Sequence, residues 1–229
     1  MKLAAKICKF THPDALKPVI MLIIISLVLG AAGLSVRAQE SSMQIKSGVL
    51  DYREELIEVS EGVTVFWDEY QVDSDRAEIE REDEIARFFT EVKLTFAEGT
   101  VDSEEMTAYL GEDRFVFERQ VLMIYQRQSE GDEDEETEEP MELRTDNLEL
   151  FGETGNFQAR GNVEIDYRGR HMTADEGDFN EEEEIFYLRD NVVMEDPDGD
   201  RIRSNTAEVH LGADDVFRAE GDVEIEMDI

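Results

Sequence analysis

The chain has 229 residues, 41% of them apolar, enough to build one extended domain or two small ones. Its 22 Lys and Arg stand against 58 Asp and Glu, a formal charge of −36. A surface of that sign repels nucleic acid and anionic membranes, which excludes binding through a basic patch.

The first segment, residues 1–38, is a leader rather than part of a fold. Lys2, Lys6, Lys9 and Lys17 precede an apolar run from Val19 to Val36, followed by Arg37-Ala38-Gln39. Lysines ahead of an apolar run hold the N-terminus in the cytoplasm and direct the rest of the chain across the membrane. Two readings fit this leader helix. Val36-Arg37-Ala38 resembles a signal-peptidase site, giving a soluble product after cleavage near Ala38. Residues 19–36 also approach the length of a spanning helix, giving an uncleaved anchor in the inner membrane. Cys8, the only cysteine, lies ahead of the run, so the exported part has no disulfide and depends on burial and sheet pairing. Beyond the leader, 191 residues carry 17 basic and 57 acidic side chains.

From residue 43 onward the chain repeats. Six valines, Val63, Val92, Val121, Val163, Val192 and Val223, are separated by 29, 29, 42, 29 and 31 residues. The long interval contains an acidic insertion, residues 128–140, and removing those thirteen residues restores 29. Six and four positions before each valine stand Ile57 and Val59, Ala86 and Phe88, Phe115 and Phe117, Phe157 and Ala159, Phe186 and Leu188, and Phe217 and Ala219. Two and four positions after it stand Val65 and Trp67, Leu94 and Phe96, Met123 and Tyr125, Ile165 and Tyr167, Met194 then Asp196, and Ile225 and Met227. This alternation predicts strands with one buried face, since successive side chains of a strand point to opposite sides.

A second strand comes next in each full repeat, opening with an apolar residue, any residue, a small one, and usually an acid or amide. The instances begin at Val72, Val101, Leu143, Met172 and Ile202. Small or apolar residues recur five and seven positions on, so the inward parity slips by one at the acid, as at a bulge or corner. Ile45-Lys46-Ser47-Gly48 reads as the second half of an incomplete first repeat. Polar turns separate the strands: Asp68-Glu69, Arg168-Gly169 and Asp198-Gly199 within repeats, and 82–84, 111–113, 180–184 and 212–215 between them.

About a dozen strands, two per repeat of about 29 residues, predict an all-β, elongated sandwich or jelly roll with continuous inward ladders. The inward residues are Val63, Val65, Trp67, Val92, Leu94, Phe96, Phe117, Val121, Met123, Val163, Ile165, Tyr167, Val192, Met194, Val223 and Ile225. They would line either a packed core or a groove. Asp196-Pro197-Asp198-Gly199-Asp200 lacks the Gly and Glu spacing of a calcium loop and reads as a turn. His12, His171 and His210 are isolated, so no metal site or other cofactor is expected. No nucleophile triad or phosphate-cradling glycine loop is evident, and no enzyme is expected.

One phrase makes the repeat specific. Phe157-Gln158-Ala159-Arg160-Gly161-Asn162-Val163-Glu164-Ile165, followed by Met172-Thr173-Ala174-Asp175, resembles the repeat of the OstA-like superfamily of lipopolysaccharide-transport proteins. Its Gly-Asn-Val element becomes Glu-Gly-Val at 61–63, Asp-Asn-Val at 190–192 and Gly-Asp-Val at 221–223. The second and third repeats depart from it, with Thr90-Glu91-Val92 and Arg119-Gln120-Val121. The resemblance covers residues 43–229 and implies a twisted, V-shaped β-jelly roll with acyl chains between its sheets. It implies a periplasmic carrier or bridge for lipopolysaccharide or a related glycolipid, with the inward residues above as groove candidates. Partners would be other OstA-like transport proteins, joined end to end by strand augmentation. The reading from residues alone leaves a second possibility, a structural β-repeat scaffold that self-associates without lipid.

Overall fold

A computed structural model describes residues 43–126, 139–211 and 216–227. The leader and its two readings lie outside the described residues, as does most of the acidic insertion. The described chain contains β1 (Met43–Lys46), β2 (Val49–Tyr52), β3 (Leu56–Trp67), β4 (Tyr70–Glu80), β5 (Ile85–Phe96), β6 (Gly99–Tyr109) and β7 (Arg114–Tyr125). It continues with β8 (Met141–Phe151), β9 (Phe157–Tyr167), β10 (Arg170–Asn180), β11 (Ile185–Glu195), β12 (Arg201–His210), β13 (Phe217–Glu220) and β14 (Glu224–Glu226). All belong to one antiparallel sheet, in which β3 to β13 run in sequence order. The alternation read from the sequence is what permits this, because each strand has one face to bury.

The long strands are not straight. In β3 the buried positions Val59 and Val63 are separated by exposed Glu61 and Gly62, both with positive φ (64° and 82°). Ser60 pairs with Arg76 and Val63 with Ser74, so two residues of β3 oppose the single Asp75 of β4. This two-against-one bulge turns the strand through a corner and returns the next side chains to the inner face. The same pair of left-handed residues stands before every aligned valine: Thr90-Glu91, Arg119-Gln120, Gly161-Asn162, Asp190-Asn191 and Gly221-Asp222. The second and third repeats therefore bend as the others do, although they lack the favoured Gly or Asn. Thr90, at φ 65°, is a β-branched residue in a region such residues disfavour.

Four of the five alternate strands, β4, β6, β8 and β12, turn the same corner with a small hydroxyl, and β10 with the buried Ala174. Ser74, Ser103, Thr145 and Ser204 are buried at the bend. Each donates to the carbonyl two residues on, at Arg76, Glu105, Asn147 and Thr206. Outside the bend, Asn162 Nδ2 and Asn191 Nδ2 donate to Asp146 and Asp175, both at 2.7 Å. The acid or amide after the small residue, prominent in the sequence, is thus a clamp across the corner at Glu104, Asp146, Asp175 and Asn205.

Aligned corners form a spine, and the sheet folds along it into two walls. The first wall comprises the strand halves before the corner in β3, β5, β7, β9 and β11 and after it in their partners; the second wall comprises the other halves. In a flat sheet β3 and β7 would lie about 19 Å apart. Yet the Trp67 and Phe115 rings are 5.7 Å apart, and Tyr70 and Phe115 4.7 Å, so the walls face each other. Tyr125 of β7 likewise meets Phe157 of β9 at 6.1 Å and Phe179 of β10 at 5.5 Å.

The ends repeat the bend with shorter pieces. β1 pairs with the second half of β3 and β2 with the first, so the two form one bent strand cornered at Ser47-Gly48. A Cβ on Gly48 would sit 2.9 Å from the Glu61 backbone oxygen, which explains the glycine there. β13 and β14 divide over β12 in the same way.

The segment 196–200 is a turn, as its sequence suggested. Asp196 Oδ1 accepts from the Asp198 and Asp200 amides, both at 3.0 Å, and Gly199 takes φ 91°.

Candidate functional site

The space between the walls is a single apolar interior running from β3 to β12. Val63, Val65, Val92, Leu94, Val121, Met123, Val163, Ile165 and Val192 line the second wall and are at most 2% exposed, while Met194 is at 6%. Trp67 and Tyr167 are buried further from the spine, Phe96 is half-buried there, and Phe117 lies on the first wall. Val223 and Ile225 depart from the inward ladder expected of them: they are 45% and 58% exposed. β14 pairs with β12 alone, and among the described residues no first-wall strand is packed over it.

Side-chain volume is matched across the interior. The first wall carries five buried phenylalanines, Phe88, Phe115, Phe117, Phe157 and Phe186, all at most 2% exposed, and the second wall has its large rings, Trp67, Tyr125 and Tyr167, near the mouth. Gly177 makes room for one of them, since a Cβ there would lie 2.5 Å from the Phe186 ring. The walls are packed together by dispersion and burial rather than by polar bonds.

Opposite the spine, the hairpin turns of the two walls meet as two lips. The turns keep a fixed stagger, each second-wall turn facing the first-wall turn three strands further along. Tyr70 Oη, at the β3–β4 turn, sits beside the carboxylate of Asp113 at the β6–β7 turn, the two oxygens flanking the same point over Gly152. Tyr125 Oη, at the end of β7, donates to Glu181 Oε2 at the β10–β11 turn (2.5 Å). Tyr167 Oη, at the end of β9, donates to the Leu211 carbonyl beyond β12 (2.8 Å). Three tyrosines thus clasp the mouth at the first, third and fourth of its lip pairs.

The second lip pair differs. Phe96 and Gly99 of the β5–β6 turn carry no hydroxyl. Between this turn and the β8–β9 turn lies a cavity of about 220 Å³, lined by Phe96, Leu150, Gly152, Thr154, Gly155, the acids Glu69, Glu98 and Glu181, and the flanking clasp residues Tyr70 and Tyr125.

Electrostatics at this rim are set by the crowding of carboxylates. Burial, then Asp113, Glu69 and Glu98, push the Tyr70 phenol well above its ordinary range. Burial together with Glu69, Asp68 and Glu153 raises the Asp113 carboxyl, opposed by the hydrogen bond from Tyr70. On the outer face the opposite holds: the hydrogen bond from His171, with Arg144 nearby, lowers Asp166. Among the described residues no group of three or more His, Cys, Asp or Glu is placed to hold a metal.

Sequence reasoning placed the interior residues but missed the clasps. Tyr125 and Tyr167 were legible as inward residues. Their partners at 181 and 211, and the pairing of Tyr70 with Asp113, depend on the stagger of the walls. The one available signal was an acid-rich turn at the right separation, and nearly every turn of this chain is acid-rich.

A bent, open, single-sheet β-jelly roll assembled from tandem bent-strand repeats defines the OstA-like class of proteins. The family model described as "LptA/(LptD N-terminal domain) LPS transport protein" matches residues 71–215, and the chain belongs to that family. No curated protein matches it by sequence. Among solved structures it is similar to the crystal structure of LptH, the LptA homologous periplasmic component of the conserved lipopolysaccharide transport device from Pseudomonas aeruginosa. That similarity has 8% identity and a TM-score of 0.41, covering 70% of this chain and 95% of that one.

Proposed function

We propose that this member of a lipopolysaccharide-transport family is a periplasmic carrier that holds acyl chains between its two walls. The observation that carries the reading is the interior itself: an apolar ladder uninterrupted from β3 to β12, closed on one side by the spine and bounded on the other by a mouth. Passing a lipid along requires many equivalent apolar contacts rather than one tight pocket, and a repeat supplies them. Each buried methylene contributes about 0.8 kcal/mol, so a chain of a dozen carbons gains roughly 10 kcal/mol before ordering costs. The walls must part to admit it, exchanging wall–wall contacts for wall–lipid contacts of the same apolar kind. The acidic exterior and rim favour contact through acyl chains over contact through an anionic head group.

The ends of the sheet fit joining by strand augmentation to other OstA-like proteins. β1 and β2 pair only with β3 among the described residues, and β14 only with β12. The exposed large apolar residues gather there: Val49, Leu50 and Tyr52 on β2, and Val223, Ile225 and Met227 around β14. An unpaired strand beside exposed apolar side chains suits another strand as partner.

One observation favours a second reading, a non-catalytic scaffold with a dry core. The inner side chains are packed against one another, many at 0% exposure. One experiment separates the two. Photo-crosslinking residues are placed at Val65, Leu94, Ile165 or Met194, and at the outward Thr64, Lys93 or Glu164. The carrier captures lipopolysaccharide from the first set and not from the second. Equal labelling of both sets, or of neither, supports the scaffold.

A further inference from the structure

The mouth is where the walls are held together by discrete bonds, and these bonds are unevenly distributed. We propose that Tyr70, Tyr125 and Tyr167 are a row of clasps keeping the mouth shut, and that a glycolipid acyl chain enters at the second lip pair, where no tyrosine stands, between the β5–β6 and β8–β9 turns. The portal half of this proposal rests on the carrier reading above; the clasp half does not.

Three features support it. Each clasp joins strands three apart in the sheet, so it bridges walls rather than neighbouring strands. Neighbouring turns within a lip are bonded to each other: in the first-wall lip the Gly152 amide donates to the Asp113 carbonyl (2.8 Å) and Glu181 to Asn156 Oδ1 (2.9 Å), and in the second-wall lip Gln126 donates to the Glu98 carbonyl (2.7 Å). Parting the walls therefore strains the cross-mouth tyrosines and leaves the lips themselves intact. Finally, the second pair has the residues of a portal. Phe96 and Leu150 offer apolar surface, Gly99 adds no bulk, and the facing turn is thinned by Gly152 and Gly155.

Tyr→Phe removes a clasp hydroxyl while keeping the ring, which in Tyr125 still packs on Phe157 and Phe179. The test uses the full chain carrying Cys8→Ser, with nitroxides on Glu98→Cys and Thr154→Cys across the second lip pair. A control pair sits on Glu61→Cys and Asp75→Cys at the spine. In the parent chain, electron–electron double resonance is expected to give one short mouth distance. The Tyr70→Phe, Tyr125→Phe, Tyr167→Phe triple variant should add a longer mouth population and leave the spine pair unmoved. Circular dichroism checks its fold; if the triple variant does not fold, Tyr125→Phe alone carries the comparison. Unchanged mouth distances in a folded variant overturn the clasps.

Lipid is then supplied as purified lipopolysaccharide, with uptake followed by mass spectrometry of the repurified protein. The triple variant should load severalfold faster, and Thr154→Trp, which plugs the cavity, severalfold more slowly than the parent. Loading of Thr154→Trp at the parent rate overturns the portal. Opening without uptake in any variant, the parent included, overturns the carrier reading and the portal with it, and leaves the clasps standing.

Discussion

Along the spine, each long strand passes from one wall to the other through its own backbone, and the corner is reinforced by buried hydroxyls and by amide–carboxylate clamps. Along the mouth, the same walls meet through side chains, three of them tyrosines reaching the facing lip. The first line is repeated at every strand and cannot part without breaking the sheet. The second is irregular, has no tyrosine at one lip pair and is crowded with carboxylates. A folded sheet built this way is a hinge with one fixed side, so any opening must occur at the mouth.

Substitutions sharpen this contrast by acting on the packed interior, the spine or the mouth. The largest effect is expected inside, where both lines depend on the same core. Phe157→Ala removes a fully buried ring that stacks on Phe179 at 4.7 Å. Urea unfolding should show a loss of about 3–5 kcal/mol.

At the spine, Thr145 Oγ1 lies within hydrogen-bond distance of the carbonyls of Asn147, Arg160 and Gly161 (3.2, 3.0 and 2.9 Å). Thr145→Val keeps the shape and removes the donor from these acceptors, at a cost of about 1–3 kcal/mol. Thr90→Gly acts in the other direction. It relieves a β-branched residue of its positive φ, and the unfolding free energy should rise by about 1 kcal/mol. A neutral or destabilising result would mean that the second corner is not strained.

At the mouth, a Cβ on Gly152 would lie 2.2 Å from Tyr70 Oη and 2.5 Å from Asp113 Oδ2. Because these are side-chain ends able to swing away, Gly152→Ala should cost less than about 1 kcal/mol. It should nevertheless lengthen the mouth distance measured between labels at positions 98 and 154. A larger loss of stability with no lengthening would break the assignment of the first clasp.

The smallest effect is electrostatic, and its sign differs between the rim and the outer face. Asp113 has its carboxyl raised, so the folded chain binds its proton more tightly than the unfolded chain does. Its contribution to stability therefore falls as pH rises from the ordinary carboxyl value through the folded one. Asp166 is lowered, chiefly by His171, so its contribution is present above the ordinary carboxyl value and is lost as pH falls through the folded one. Urea midpoints taken from pH 3 to 7, a range of about the carboxyl titration, should show that Asp113→Asn removes a decline with pH. Asp166→Asn should remove a rise.

Much of this fold was legible because its rules are local. Alternation around Val163 placed Ile165 and Phe157 on one face, and the parity slip at Asp175 marked a bend. Gly161-Asn162 marked the left-handed corner where it is expected, since Gly and Asn tolerate positive φ. Thr90-Glu91 and Arg119-Gln120 carried no such mark. Their corners are imposed by the bent strands on either side, with which the residues flanking each corner are paired. Val223 and Ile225 carried the inward pattern faithfully, yet they are exposed, because a pattern specifies a face and not whether another wall covers it.

The sequence by itself determined which face of each strand is apolar, where the alternate strands slip in parity and how often the unit recurs, since these depend on side chains one or two residues apart. Only the tertiary structure decided that the walls close on each other and that each turn faces the one three strands on. The second of these determines which tyrosine finds which acceptor. That stagger arises from the twist accumulated over many strands and from packing between residues 43 to 56 positions apart, and no local pattern encodes it.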